Sequence, residues 1–158
     1  MQATARYRGD GTYRVTGSVS GASIIVDTRT HGTDAPQSAL GPRPMELVLF
    51  GAATCPAVDL VQILGKMRHP ATDLIVEVDG ERADTHPRRF TRISLRFRIF
   101  GQDIPKDVAE RAVRLSVERY CSALASLNAE VSWSISLEPD QASGMIPEEN
   151  GGRDGNLR

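Results

Sequence analysis

From Met45 to Met67 the chain reads MELVLFGAATCPAVDLVQILGKM, and the run is apolar on nearly every side. Leu47, Val48, Leu49, Phe50, Ala52, Ala53, Val58, Leu60, Val61, Ile63 and Leu64 leave no polar stripe at helical spacing. A stretch of this length fits a helix better than a strand. A helix apolar all round has to be buried all round. A chain of 158 residues has room for one hydrophobic core. The run therefore predicts a single central helix, wrapped by sheet or by a partner subunit. Pro44 stands where the first helical turn tolerates proline. Gly65, Lys66, Arg68 and Pro70 supply a stop.

The flanking segments alternate instead. TARYRGDGTYRVTGSVSG places a turn signal, GDGT, between two alternating runs and predicts a hairpin. SIIVDTRT (23–30) predicts a third strand, and HGTDAPQSALGPRP (31–44) an exposed loop. TDLIVEVDGERA (72–83) and RFTRISLRFRIFG (89–101) alternate cleanly, as does VSWSISLE (131–138). Residues 104–128, opened by Pro105, repeat apolar positions at helical spacing through Val108, Ala112, Leu115, Tyr120 or Cys121, Leu124 and Leu127. The predicted order is β-β-β-α-β-β-α-β, an α+β fold of antiparallel strands. A single domain is expected over residues 1–138, followed by a disordered tail over 139–158 with no periodicity.

The formal net charge is −1, so no global basic excess points to nucleic acid or an anionic membrane. The arginines of the 89–101 strand alternate with apolar residues. They read as a solvated sheet face, because the aromatics fall on the other phase. MQATARYRGDG has no apolar secretory region. No uninterrupted apolar run reaches the ~18 residues of a membrane span. The expectation is a cytoplasmic protein without a membrane or nucleic-acid partner. Two cysteines and three scattered histidines show no CxxC or HxxxH spacing, so no metal site is expected.

Those cysteines carry the chemistry. Cys55 sits inside the apolar helix and is followed by Pro56, which cannot donate to the Ala52 carbonyl and crowds that turn. Gly51, Ala52, Ala53 and Thr54 leave room for close approach, and Asp59 lies one turn beyond on the same face. A reactive thiol needs a cationic neighbour. Arg6, Arg8, Arg14, Arg29 and Arg43 lie in the preceding strands and loop. Equally, free cysteine is among the most buried residue types, and both thiols fit plain core positions. Spacing alone does not show that Cys55 and Cys121 meet.

GPRPMELVLFGAATCPAVDLVQILGKMR, followed by FTRISLRFRIFGQDI and AVRLSVERYCSALASL, resembles the OsmC/Ohr family of thiol-dependent peroxidases, most of all its YhfA-type branch. The resemblance spans roughly residues 10–138, with the elements in the same order. It implies an intertwined homodimer with the central helices at its core. It also implies a site at the subunit interface, with Cys55 as peroxidatic thiol and Cys121 as resolving thiol. The implied substrate is a small-molecule organic hydroperoxide. No cofactor is implied beyond an external dithiol reductant, in family members often of lipoyl type. An arginine, here Arg8 or Arg14, and a glutamate activate the thiol in such enzymes. Family members place that glutamate directly after the helix-opening proline. Here Met45 takes that place and Glu46 follows, turned by about 100°. Met45, Leu47, Phe50, Thr54 and Asp59 are the pocket candidates. The alternative is a weakly catalytic or non-catalytic dimer that binds a small apolar or thiol-reactive ligand, or senses redox state.

Overall fold

The computed structural model describes residues 1–29 and 39–139. The predicted tail from 140 onward, residue 30 at the end of the predicted third strand and residues 31–38 of the predicted loop lie outside the described residues. Six strands and a helical layer follow in the expected order: β1 (Ala3–Tyr7), β2 (Thr12–Gly17), β3 (Ser23–Asp27), α1 (Pro44–Lys66), β4 (Asp73–Arg82), β5 (Phe90–Phe100), α2 (Lys106–Arg114), a π-turn (Leu115–Tyr120), a short α3 (Ser122–Ala125) and β6 (Glu130–Glu138).

The strands form two separate three-stranded sheets, β1-β2-β3 and β4-β5-β6. In the first, β1 and β2 join through the GDGT turn. Gly9 and Gly11 supply positive φ there, and the Asp10 carboxylate accepts the Thr12 amide at 3.0 Å. In the second, β4 and β5 run antiparallel, but β5 and β6 run parallel. This corrects the expectation of antiparallel strands throughout. The β5–β6 connection carries the α2 segment, and such a crossover returns the chain in the same direction.

The Arg/apolar alternation of β5 divides as predicted. Ile93, Leu95, Phe97 and Ile99 are buried under the helices. On the other face Arg92 meets Glu81 at 2.7 Å, Arg96 meets Glu77 at 3.3 Å, and Arg98 makes a two-pronged pair with Glu138 at 2.7 and 2.9 Å. That face is a cross-strand ladder of opposite charges, so its arginines are already answered within the sheet.

The chain itself buries only one stripe of α1. Ala52, Pro56, Leu60 and Leu64, four residues apart, face β4 and the α2 segment. Gly80 of β4 lets Leu49 and Phe90 close over it, where an added Cβ would lie 2.8 and 2.6 Å from their side chains. The opposite face keeps Phe50 53% and Val58 58% exposed. The all-round apolar helix is therefore only partly covered by its own chain. By length and composition α1 is also apolar enough to cross a membrane, although only 22% of its most apolar window is buried inside the subunit. The count of uninterrupted apolar residues misses this, because Thr54, Pro56 and Asp59 break the run without lowering its average much.

Two segments differ from their predicted bounds. The third strand ends at Asp27, whose buried carboxylate accepts the Arg29 amide and side chain and the Leu40 amide. This ties the chain entering α1 to β3. The second predicted helix is not one helix: it widens into the π-turn and breaks at Cys121, which is extended at φ −70, ψ 97.

Candidate active site

Cys55 lies on α1 just outside its buried stripe and is half-buried, whereas Cys121 is 3% exposed. Both are free thiols. The π-turn brings them together. In an unbroken α-helix Tyr120 would fall within about 20° of Val113, on the buried stripe that runs through Ala109, Ala112, Val113 and Ser116. The wider turn inserts one residue. The Cys121 amide donates to the Ser116 carbonyl at 2.9 Å, five residues back rather than four. Tyr120 rotates out to 50% exposure, and Cys121 takes the inward position. This resolves the choice the periodicity left open between those two residues.

The Cys121 thiol is pushed up to about 11. Burial is the main cause. The Leu124 amide, which donates to Sγ at 3.4 Å, pulls the other way, and the neighbouring Cys55 pushes it up further. Two cysteines 66 positions apart in the sequence thus lie close enough for one thiol to act on the other. At neutral pH Cys121 holds its proton, and Cys55 is the thiol with access to solvent.

The other predicted site residues do not gather there within one subunit. Glu46 caps α1: its Oε2 accepts the Arg43 amide at 2.7 Å. It stands nine residues before Cys55, about 13 Å along the axis. Arg8, just past β1, and Arg14, in β2, are exposed, and among the described residues neither pairs with Glu46. Met45 borders two adjoining hollows of about 450 and 700 Å³ at the start of α1, with Arg82 and Phe90 on the walls of both. Leu47 borders a third, against Tyr13, Val15 and Val26 of the first sheet. Asp59 lines a fourth, of about 310 Å³, with Leu115 and Tyr120 from the two ends of the π-turn. Phe50 and Thr54 are exposed, and the Thr54 hydroxyl donates back to the Phe50 carbonyl at 2.7 Å. Among the described residues no group of three or more His, Cys, Asp or Glu side chains could hold a metal ion.

The pattern reading passed over Ser116. It is fully buried, and its hydroxyl donates to the Pro56 carbonyl at 2.6 Å. The signal was available as a small polar residue on the apolar stripe of LSVERYC.

A family model of the OsmC-like proteins matches residues 34–136, well over half of the chain and inclusive of both cysteines. The chain belongs to the OsmC-like family. The Escherichia coli K12 protein YhfA is 40% identical to this OsmC-like chain over 121 residues, covering 77% of the chain and 85% of YhfA. Solved structures share the fold at lower identity. The OsmC-like protein of Mycoplasma pneumoniae superposes at a TM-score of 0.73 with 17% identity, covering 86% of this chain and 95% of its own. The organic hydroperoxide resistance protein OhrB of Bacillus subtilis superposes at 0.57 with 17% identity, covering 85% and 96%.

Proposed function

We propose that this OsmC-like protein is a cysteine-based hydroperoxide reductase. The observation that carries the reading is the contact between a half-buried Cys55 and a buried, protonated Cys121. The Cys55 thiolate attacks the terminal oxygen of ROOH. The O–O bond breaks, Cys55 becomes a sulfenic acid, and RO⁻ takes up a proton and leaves as the alcohol. Cys121 sulfur then attacks Cys55 sulfur. The S–OH bond breaks, an S–S bond forms, and water departs with the Cys121 proton. An external dithiol reduces the disulfide by exchange and leaves as its own disulfide. Burial suits Cys121 to this order of events, because a thiol kept protonated does not compete for the peroxide. The name of the OhrB relative, an organic hydroperoxide resistance protein, points to an organic substrate.

The acting form in this reading is a homodimer in the cytoplasm. The uncovered face of α1 supports it: Leu47, Gly51, Thr54, Val58 and Val61 recur at alternating spacings of four and three, the pattern of a seam between packed helices. A second copy covering that seam satisfies the apolar surface that a membrane would otherwise attract.

One observation favours a second reading, that of a binding or redox-sensing dimer with little turnover. The Glu46 carboxylate is occupied in capping α1, nine residues and about 13 Å along the helix axis before Cys55.

Single-turnover oxidation separates the two. Reduced protein is mixed with one equivalent of cumene hydroperoxide, and thiols and intact mass are followed. Rapid loss of both thiols with a fall of about 2 Da, the two hydrogens of one disulfide, is expected. Cys55→Ser should abolish the reaction, and Cys121→Ser should stop at a sulfenic acid. Oxidation no faster than that of an ordinary free thiol would leave the binding reading in place.

A further inference from the structure

We propose that Ser116 is the positioning residue that holds the two thiols in register. Its two polar groups act on opposite partners. The carbonyl accepts the Cys121 amide at 2.9 Å and so fixes the wide turn that points Cys121 inward. The hydroxyl donates to the carbonyl of Pro56, the residue directly after Cys55, at 2.6 Å. One buried residue therefore clamps the backbone beside each sulfur. Apart from the two neighbouring thiols, the Ser116 hydroxyl makes the side-chain hydrogen bond that joins α1 to the α2 segment among the described residues. Apolar contacts across this interface, such as those of Val113 with the core, tolerate sliding. A 2.6 Å hydrogen bond in a dry interface fixes both distance and direction.

The consequence lies in the closing step and rests on the exchange chemistry proposed above. Forming the S–S bond requires Cys121 sulfur to reach Cys55 sulfur in a narrow geometry, and that geometry sets how strongly the pair favours the disulfide over two thiols. Ser116 touches neither the peroxide nor the reacting sulfurs, so its contribution appears in the disulfide equilibrium and in the partition of the sulfenic acid.

The test titrates the Cys55–Cys121 couple in glutathione redox buffers, with no peroxide present, for the unaltered protein, Ser116→Ala and Val113→Ala. Val113 is fully buried in α2, just before the π-turn, and its truncation loosens packing without removing either hydrogen bond of the clamp. Ser116→Ala is expected to shift the equilibrium toward the dithiol by about tenfold, about 30 mV. After cumene hydroperoxide it should also accumulate a Cys55 sulfenic acid that dimedone traps, where the unaltered protein closes to the disulfide. Val113→Ala should leave the couple within about twofold of its starting value, whatever it does to the melting temperature. Equal shifts in both variants, or none in Ser116→Ala, would overturn the proposal, as would an unaltered protein that forms no intramolecular disulfide in glutathione. A protein that oxidises in glutathione but not with peroxide would remove the peroxidase reading alone, and the same titration would still decide the role of Ser116.

Discussion

The two three-stranded sheets are equal in strand number and opposite in circumstance. The β4-β5-β6 sheet has an inside: Ile93, Leu95, Phe97 and Ile99 are sealed beneath α1 and the α2 segment, and they anchor the single hydrophobic cluster of the described residues. The β1-β2-β3 sheet has almost none. Every residue of β1 is exposed, the core cluster takes nothing from these strands, and Val26, Asp27 and Thr12 are the buried exceptions. Alternating sequence makes a strand, but only a facing apolar surface gives it something to bury against. The second sheet finds that surface in its own chain. The first sheet, beside the exposed face of α1, finds no such surface within its own chain.

The largest test of the contrast is truncation in each sheet. Phe97→Ala empties a sealed position and should lower stability by about 3–5 kcal/mol in a urea titration. Tyr7→Ala in β1, 57% exposed, should change the stability of a dilute subunit by no more than about 0.5 kcal/mol. If a second copy covers the first sheet, the Tyr7 cost should grow with protein concentration. A flat concentration dependence would sink that account.

The next effect comes from Cys121. Its folded value, about 11, lies above the 9.0 of an unperturbed thiol, so the folded state holds the proton more tightly. The stability linked to that proton is fully present below pH 9 and is lost as pH rises toward 11. The loss amounts to about 2–3 kcal/mol. Reduced protein melted across this range should show it, and Cys121→Ala should flatten that part of the profile.

Asp27→Asn should cost about 1–3 kcal/mol, because it weakens the charge-assisted bonds to Arg29 and the Leu40 amide. Hydrogen exchange should speed up in β3 and the entry to α1 while β5 amides hold their protection. Uniform loss across both sheets would mean that they unfold as one unit. The smallest effect is expected from Arg96→Ala, whose 3.3 Å pair with Glu77 is solvent-exposed on both sides. Its melting midpoint should be indistinguishable from that of the parent.

Periodicity made much of this arrangement legible. The order of elements, the division of β5 into an apolar and an arginine face, and the bounds of α1 all follow from spacings within single segments. The features that escaped involve two segments at once. The parallel pairing of β6 depends on which edge of β5 it joins. The break at Cys121 depends on a backbone bond to Ser116 that no spacing rule encodes. The site was legible to the same degree. The two cysteines were visible as chemistry, and their contact is made by folding. Glu46 resolved into a cap, Arg8 and Arg14 into exposed positions at the β1–β2 turn and in β2, and Ser116 emerged only once Pro56 stood opposite it.

The contact between Cys55 and Cys121 has a topological meaning as well as a chemical one. A bond between them would close a ring of 67 residues, and that ring contains β4, β5 and α2 complete. Closing a ring of that size removes about 4 kcal/mol of chain freedom from the unfolded ensemble. Oxidised and reduced protein would then differ in how far the chain can open as well as in their sulfur chemistry. Each turn of the proposed cycle would tie and untie a loop through the middle of the core.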